Sequence, residues 1–425
     1  MTRRATRIGG VLTTRGRAFL AAGLTLLAGG LVLGFTDITR VGVLLSALPL
    51  LADLRARRQS NTLEVTRTVQ PARLVVDQSA RVAIVLQNSS GRRTQLQLAE
   101  EQVHYLLRDR PRFILPAMDP GDAREVDYEI RSQVRGRYRL GPLTVRRRDP
   151  YGLATVTASL PGSTDVLVLP RIEALGRRHP RGHGVGAEGS IPHMVALHGE
   201  DDVAVRSYRE GDDLRRIHWP ATAHRSELMV RQEDHPARRR AVIVLDSRAN
   251  GHQGSGTKGS FEWAVTAAAS IAAHLAQHEY TQHLASNETT AEGLATQQVE
   301  IDDVLTSLAL AQPGSARQFD EVLRWAHLLT STGGLVVAIV TDHDEATVRR
   351  TATLRQPDGT GLMIMLDTTR FTTPAPGGPT DRALGMAEMV TAAGWSTCVA
   401  GPGMTVAEAW QTISARSAVR IGAGR

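Results

Sequence analysis

Three aspartates follow short apolar runs in the second half of the chain, where they could support metal chemistry. Asp246 follows the run VIVL, Asp342 follows VAIVT, and Asp367 follows MIML. Such runs are typical of buried parallel strands, and open sheets of this kind bind ligands at the carboxyl ends of their strands. A carboxylate cluster with nearby hydroxyls can hold Mg²⁺, which prefers octahedral oxygen ligands. The sequence therefore makes this edge a candidate metal site.

A second candidate site is the segment from residue 205 to 234, which we call the charged segment. It interleaves carboxylates with arginines around Trp219. Arginine forks bind carboxylates bidentately, and we expect the indole to fill a pocket beneath them. Two interpretations stay open: a salt-bridged connector that clamps two domains together, and a binding site for a ligand or partner. The candidate binding residues are Arg206, Tyr208, Gly211, Asp212, Asp213, Arg215, His218, Trp219 and Arg231.

Other groups of polar residues give weaker indications. Residues 171–204 are rich in glycine and histidine, but the histidine spacing matches no structural zinc pattern, and we predict a flexible loop. His274 and His278 lie one helical turn apart and are predicted to be surface residues. The sequence contains no nucleophile and base at a recognisable spacing, no phosphate-binding glycine loop and no zinc motif. We therefore predict no enzymatic activity and name no catalytic residue.

Two regions contain the elements that must position these residues. Residues 240–425 alternate strands with helices, which predicts a doubly wound α/β domain with a mostly parallel sheet covered on both faces. Residues 60–170 contain short alternating runs between turn residues, which predicts an antiparallel sandwich-like domain acting as a spacer or interaction module.

The N-terminal region predicts a membrane anchor. An arginine-rich tail, residues 1–17, contains no acid and precedes apolar runs at 18–35 and 41–52. The first run is long enough to cross a bilayer, whereas the second is marginal and requires Arg40 to snorkel. We predict a transmembrane helical hairpin over residues 18–54, with Gly42 and Ser46 suited to close helix packing, as are Gly30 and Gly34. Arginines flank both ends, so the positive-inside rule places both termini in the cytoplasm and the hairpin in the inner (plasma) membrane. A cleaved signal peptide is the alternative, but its apolar core would be shorter.

Composition restricts the choice of partners. The net charge is +7 and the pI about 10.2, but Lys258 is the only lysine and aromatic residues make up 4% of the chain. No basic stripe is interleaved with stacking residues, so we predict no nucleic-acid binding and consider a membrane surface the better acidic partner. Cys398 is the only cysteine, so no intramolecular disulfide can form, which fits a reducing compartment.

The charged segment also resembles a known family signature. The matching residues are Arg206, Tyr208, Gly211, Asp212, Asp213, Arg215, Ile217, His218, Trp219, Thr222, Ala223, Leu228, Val230 and Arg231. Their spacing is similar to that of the bacterial membrane-protein family called domain of unknown function 58. Pro220 and His224 depart from the family pattern, which usually has lysine and arginine there, and Arg225 follows one position later. The resemblance implies a membrane hairpin, a β-rich region and a C-terminal domain similar to von Willebrand factor type A.

That second resemblance implies a metal site on the motif Asp-x-Ser-x-Ser after the first strand. The chain reads Asp246-Ser247-Arg248-Ala249-Asn250 instead. A guanidinium thus replaces a hydroxyl, and Asp246 and Asp342 are the remaining candidate ligands of a degraded Mg²⁺ site. We predict that Arg248 pairs bidentately with Asp246 or Asp342 and takes the place of the ion.

Taken with the resemblance, these features predict a membrane-anchored cytosolic scaffold or adaptor without a cofactor. The family implies partnership with an AAA+ ATPase of the MoxR type in assembly or maturation of envelope proteins, and homo-oligomers are also expected. The alternatives are a metal-dependent hydrolase and a metal-dependent adhesion module, both using the aspartates at the sheet edge.

Overall fold

The computed structural model describes residues 6–58, 63–176, 205–208, 217, 219–225, 227–231, 240–293, 299–331, 333–357, 359–373 and 377–422. The chain divides into two compact units. The first comprises residues 1–171 with 308–310, and the second comprises residues 172–307 with 311–425. The first unit carries an apolar helix and antiparallel sheets, and the second is a parallel-sheet α/β domain.

The first unit begins with strand β1 (Thr6–Leu12), followed by helices α1 (Thr14–Leu33) and α2 (Thr36–Arg58). Residues 6–12, predicted as part of a basic tail, therefore form a strand. Their pairing partner lies about a third of the chain away, at a distance that local pattern does not reveal. Thr13 caps α1 by accepting a hydrogen bond from the Gly16 amide at 3.1 Å, and Gly34 ends α1 at φ 72°, a conformation that suits glycine.

Small residues allow α1 and α2 to pack closely. A Cβ on Gly23 would lie 2.6 Å from the Ser46 nitrogen, and one on Gly42 would lie 2.5 Å from the Leu27 nitrogen. Close packing at Gly42 is therefore confirmed, and so is close packing at Gly30, where a Cβ would lie 2.6 Å from the Thr39 hydroxyl oxygen. Gly34 has no atom within 4 Å of a Cβ position, so its predicted role in close packing is wrong. Among the described residues, α1 is the one helix whose length and mean hydropathy of 1.7 suit a membrane crossing.

The rest of the first unit consists of strands in three sheets. The strands are β2 (Leu63–Gln70), β3 (Arg73–Val75), β4 (Ser79–Asn88), β5 (Gln97–Glu101), β6 (Arg112–Leu115), β7 (Ala123–Arg131), β8 (Gly136–Leu140), β9 (Leu143–Arg148), β10 (Ala154–Leu160) and β11 (Thr164–Leu169). Their orders are β1-β10-β9-β5-β6, β2-β4-β7 and β3-β11-β8. All pairs are antiparallel except β3 with β11. Strand β10 buries every second residue, as expected for a strand with one face on the core.

A buried ion pair lies in the interior of the first unit. Arg67 donates from Nε to Glu101 Oε1 at 2.7 Å and from Nη2 to Oε2 at 3.1 Å. Both side chains are almost fully buried, and Arg67 Nη1 also donates to the Gly162 carbonyl at 3.0 Å. The pair joins β2 to β5, which belong to different sheets.

The second unit begins with β12 (Val205–Ser207), α3 (Trp219–Arg225) and β13 (Met229–Arg231). A parallel sheet follows in the order β15-β14-β16-β17-β18. Its strands are β14 (Arg240–Leu245), β15 (Thr281–Ala285), β16 (Leu335–Thr341), β17 (Thr360–Leu366) and β18 (Ser396–Ala400). The helices between and after them are α4 (Ser260–Gln277), α5 (Asn287–Ala291), α6 (Ile301–Leu310), α7 (Ala316–Thr330), α8 (Glu345–Ala352), α9 (Asp381–Ala392) and α10 (Val406–Gly422).

Helices cover the sheet because its strands are apolar on both faces. Val242 and Val244 pack in one cluster with residues of α7, α8 and α9. Ile243 and Leu245 alternate to the opposite face and are also fully buried. On α4 and α10, the rings of His274 and Trp410 meet edge to face. This is the predicted parallel α/β architecture, to which the structure adds β15, α5 and α6.

Candidate functional site

Asp246 lies at the carboxyl end of β14 and is completely buried. The buried guanidinium of Arg248 holds it bidentately: Nε donates to Oδ1 at 3.0 Å and Nη2 to Oδ2 at 2.8 Å. The Arg248 backbone amide adds a bond to Oδ1 at 3.1 Å. Thr341, at the end of β16, donates its hydroxyl to Oδ2 at 3.0 Å and its amide at 3.3 Å. Both carboxylate oxygens of Asp246 are thus fully engaged within the protein.

The far side of the Arg248 guanidinium is held as well. Nη1 donates to the Thr347 hydroxyl at 3.0 Å and lies 3.5 Å from Asp344 Oδ2. Asp344 caps α8 by accepting from the amides of Ala346 and Thr347. The Arg248 side chain also lies 5.4 Å from the centre of the Phe319 ring, within the range of a cation–π contact.

Electrostatics keep this pair charged despite its burial. Burial opposes the charge on Asp246, but the hydrogen bonds and positive charge of Arg248 outweigh that cost and hold the pKa of Asp246 below its ordinary value. Burial likewise opposes the charge on Arg248, yet its bonds to Asp246 raise the pKa of the guanidinium. The pair predicted between Arg248 and Asp246 is therefore present, and the guanidinium places a positive charge against both oxygens of the Asp246 carboxylate.

The other two aspartates at the edge are less fully satisfied. Asp342 Oδ1 accepts from the Thr368 amide at 3.1 Å and hydroxyl at 2.7 Å. Asp367 Oδ2 accepts from the Thr380 amide at 2.7 Å. Asp342 Oδ2, Asp367 Oδ1 and the Ser247 hydroxyl are buried and have no hydrogen-bond partner among the described residues. Within the part of the chain that the structure describes, no group of three or more histidine, cysteine or carboxylate side chains is arranged to hold a metal.

A partly buried histidine, His252, which the sequence did not single out, supports the loop after β14. His252 Nε2 lies 2.7 Å from the Asp246 carbonyl and Nδ1 lies 3.0 Å from the Ser260 hydroxyl. Burial lowers the pKa of His252, which favours the neutral ring. Ser260 is fully buried and accepts a bond from the Gln253 amide at 2.9 Å. These hydrogen bonds tie the loop after β14 to the start of α4.

The charged segment forms an antiparallel strand pair with a helix between the strands. β12 pairs with β13 in the register Val205 with Arg231 and Ser207 with Met229. The Tyr208 amide extends the pairing by donating to the Leu228 carbonyl at 2.8 Å. Arg206 and Arg231 thus lie on neighbouring strands. Gly211, Asp212, Asp213, Arg215 and His218 lie outside the described residues.

Trp219 contradicts the expectation of a filled pocket. It is the first residue of α3, and 67% of its surface is exposed, while Leu228 nearby in the chain is 41% exposed. Among the side chains of this segment that the structure describes, Met229 is the buried one, and its amide donates to the Thr222 hydroxyl at 3.0 Å. A large aromatic ring was expected to require burial, but the anchoring is done by Met229 instead. The interpretation of the segment as a connector between domains stays a prediction.

The two helical histidines, His274 and His278, contact each other at the end of α4. His274 is 4% exposed, so the prediction that it is a surface residue is wrong. Its ring packs against Trp410, at 5.4 Å, and against His278, at 4.4 Å. His278 Nδ1 bonds to the His274 carbonyl. Of the predicted histidine-rich loop, residues 177–204, which include His179, His183, His193 and His198, lie outside the described residues.

Comparisons with known proteins give a family similarity without an activity. A family described as "Protein of unknown function DUF58" matches residues 204–320. The "Uncharacterized protein YeaD" of Bacillus subtilis (strain 168) is 27% identical over 147 residues, which cover 34% of this chain and 35% of that protein. The chain thus spans about a third of the length of this relative.

Similarities to solved structures are weak. The CARDB domain of a Pyrococcus furiosus protein aligns with 25% of this chain and 93% of its own, at 13% identity and a TM-score of 0.18. An exo β-N-acetylglucosaminidase from Vibrio harveyi aligns with 79% of this chain and 75% of its own, at 10% identity and a TM-score of 0.22. These values support no functional argument.

Proposed function

We propose that the protein is a membrane-anchored cytosolic scaffold or adaptor and not an enzyme. In this proposal the second unit is a von Willebrand factor A-like domain whose metal has been replaced by Arg248. The observation that carries the proposal is the bidentate Arg248–Asp246 pair, at 2.8 and 3.0 Å in a buried site. Because this pair occupies the carboxylate that a metal or a catalytic water would need, the edge suits binding without chemistry.

The anchor in this proposal is a two-helix membrane hairpin made of α1 and α2. Strand β1, which precedes α1, pairs with β10, which follows α2. Such pairing supports a return of the chain to the side of the membrane on which it started. The arginines at both flanks favour the cytoplasm of the inner membrane. A reporter that is active only outside the cytoplasm, fused after Arg425, should stay inactive, and an active fusion would refute this topology.

The partner surface in this proposal includes Trp219, whose exposed indole lies in the segment that matches the family. Exposed tryptophans are enriched at the energetic centres of interfaces. The partner proposed is an AAA+ ATPase of the MoxR type, in assembly or maturation of envelope proteins, and self-association is a further outcome. Affinity purification of the tagged full chain from detergent-solubilised membranes should recover the ATPase.

The Trp219→Ala variant should lose this partner in the same purification. Leu328→Ala is the matched control, because Leu328 is 59% exposed but lies on α7, outside the family segment. Equal recovery by wild type and both variants would show that Trp219 is not a partner contact. Recovery of no ATPase by the wild type would contradict the partnership itself.

A second candidate is a metal-dependent hydrolase or adhesion module. The unpaired buried oxygens of Asp342 and Asp367 favour it, since a cation could satisfy both. Calcium or magnesium binding that is lost when Asp342 is replaced would support this candidate. Asp246→Asn is the control, because it changes the neighbouring carboxylate. An adhesion role also needs the second unit outside the cell, which the reporter fusion tests.

A further inference from the structure

The turn between β9 and β10, residues 149–152, is attached to the beginning of α1. We call it the membrane-proximal turn. The Thr13 hydroxyl donates to the Gly152 carbonyl at 2.6 Å, and the Thr13 amide donates to the Leu153 carbonyl at 2.9 Å. Gly16 lies so close to the Leu153 carbonyl that a Cβ there would clash with it. The position of the turn along the axis of α1 is therefore fixed.

This attachment sets the height of the turn relative to a bilayer. The uncharged apolar run of α1 begins at Ala18, five residues after Thr13, which corresponds to about 8 Å of helix rise. The headgroup region of a bilayer leaflet is about 5–8 Å thick. If the hydrocarbon boundary lies near Ala18, the membrane-proximal turn lies at the level of the lipid headgroups.

The turn is rigid and presents an aromatic ring outward. Asp149 Oδ1 accepts from the Tyr151 amide at 3.0 Å, and Oδ2 accepts from the amides of Leu153 and Ala154 at 2.5 and 2.7 Å. The acid of the turn is thus bonded to backbone amides. Tyr151 itself is 74% exposed. An amphipathic ring at this height is typical of the interfacial aromatic belt of membrane proteins.

Exposed arginines lie on the strand before the turn and on the two helices. Arg148 is the last residue of β9 and pairs with Thr155 near the start of β10. Arg146 lies two residues before it on β9, about 7 Å away. Arg15 and Arg17 lie in the first turn of α1, and α2 ends with further arginines, of which Arg55 is exposed. None of these five forms an ion pair with another described residue. Arg15 and Arg17 precede Ala18 by one to three residues, about 2–5 Å of helix rise, which is within a Debye length of about 8 Å of the headgroup charge.

We propose that the membrane-proximal turn docks on anionic phospholipid headgroups of the leaflet that α1 enters, with Tyr151 inserted among them and Arg148 and Arg146 bound to their phosphates. The inference rests on the membrane anchor of the proposed function. Docking gives the first unit a second contact with the membrane, in addition to the helices, and holds its sheets in one orientation on the membrane surface. Anionic lipid is favoured over an acidic protein because the turn is attached about 8 Å from the start of the apolar run of α1.

Spin-label depth measurements on the full chain test this docking. Cys398→Ala removes the only thiol, and Tyr151→Cys then places one nitroxide on the turn. Tyr105→Cys is the matched control: Tyr105 is 78% exposed, but it follows β5, whose far end pairs with Leu143 at the opposite end of β9. If Cys398→Ala lowers the yield, the wild-type thiol can stay, since it is buried and escapes labelling under native conditions.

The protein is placed in vesicles of phosphatidylcholine alone or mixed with phosphatidylglycerol. In the mixed vesicles, the label at 151 should collide several-fold more with oxygen relative to a water-soluble nickel chelate than the label at 105. The Arg146→Gln/Arg148→Gln variant, or omission of phosphatidylglycerol, should shift the label at 151 toward water. The docking would be overturned if the label at 151 were as accessible to nickel as the label at 105. It would also be overturned if neither the arginine substitutions nor the omission of phosphatidylglycerol changed the depth of the label at 151.

Carbonate extraction separates the docking from the anchor beneath it. Retention of the chain in the vesicles with a water-exposed label at 151 refutes the docking alone. Release of the chain by carbonate refutes the anchor, and the docking with it.

Discussion

Removal of the Arg248 side chain tests how the carboxyl edge of the parallel sheet is stabilised. Arg248→Ala deletes the two guanidinium bonds to Asp246 and the contact with Phe319. Loss of one partner of a buried ion pair costs about 3–5 kcal/mol. Asp246 keeps the amide of residue 248 and both donors of Thr341, so we expect the lower value, about 3 kcal/mol. For a unit of this size that corresponds to a melting temperature lower by roughly 6–12 °C.

The loss of stability should depend on pH, because the shift of the Asp246 pKa from its ordinary value reverses between wild type and variant. In the wild type that pKa lies below the unfolded value, so the ionised carboxylate contributes stability above pH about 4 that is lost as pH falls. In Arg248→Ala the lowering by the guanidinium is gone and burial raises the pKa, so the protonated form favours folding. The stability difference between wild type and variant should therefore be largest near pH 7 and should shrink toward pH about 4.

Tryptophan fluorescence of the full chain in detergent measures this difference, because all five tryptophans lie in the second unit. Arg324→Ala is the control: Arg324 belongs to an exposed ion pair and should cost less than about 1 kcal/mol. The Asp246→Asn/Arg248→Ala variant should lose the pH dependence of the difference. A loss below about 1 kcal/mol for Arg248→Ala, constant from pH 7 to 4, would refute the reasoning.

Three further predictions concern other parts of the molecule. Arg67→Ala should destabilise the first unit by about 3–5 kcal/mol, measured by amide hydrogen exchange, because it leaves the buried Glu101 carboxylate without its partner. Arg81→Ala, which removes an exposed ion pair, should cost less than about 1 kcal/mol. Equal effects of the two substitutions would contradict the burial of the Arg67–Glu101 pair. Gly42→Val should disrupt helix packing and increase proteolysis of detergent-solubilised chain, whereas Gly29→Val, with nothing within 4 Å of its Cβ position, should not; identical digestion patterns would argue against a close α1–α2 contact. Trp219→Ala should lower stability by less than about 1 kcal/mol because the ring is mostly exposed; a loss of several kcal/mol in fluorescence-monitored unfolding would mean that the ring is buried after all.

The sequence predicted those features that depend on local pattern. The apolar runs before Asp246, Asp342 and Asp367 identified three strands of the parallel sheet, because these runs are buried on both faces. The Arg248 pair could be predicted because Arg248 lies two positions after a carboxylate at a strand end, where the backbone turns and both side chains share the same edge.

Features that depend on distant partners were beyond prediction. β15 contains Gln282 and His283, polar residues that do not follow the pattern of a buried strand. Gln282 can be buried because its side-chain amide donates to the Ala272 carbonyl at 2.9 Å. β1 looked like a basic tail because its partner strand, β10, follows more than a hundred residues later. Trp219 was assigned to a pocket from its size alone, whereas its position at the start of a short helix leaves the ring in solvent.

Calorimetric titration of the metal-free full chain with Mg²⁺ or Mn²⁺ tests the central claim, that Arg248 replaces a metal at Asp246. The wild type should show no binding at micromolar concentrations, because both oxygens of Asp246 are already paired with the guanidinium. Arg248→Ser, which restores a hydroxyl beside a carboxylate freed of its cation, should gain measurable binding. Micromolar binding to the wild type that disappears in Asp246→Ala would contradict the account.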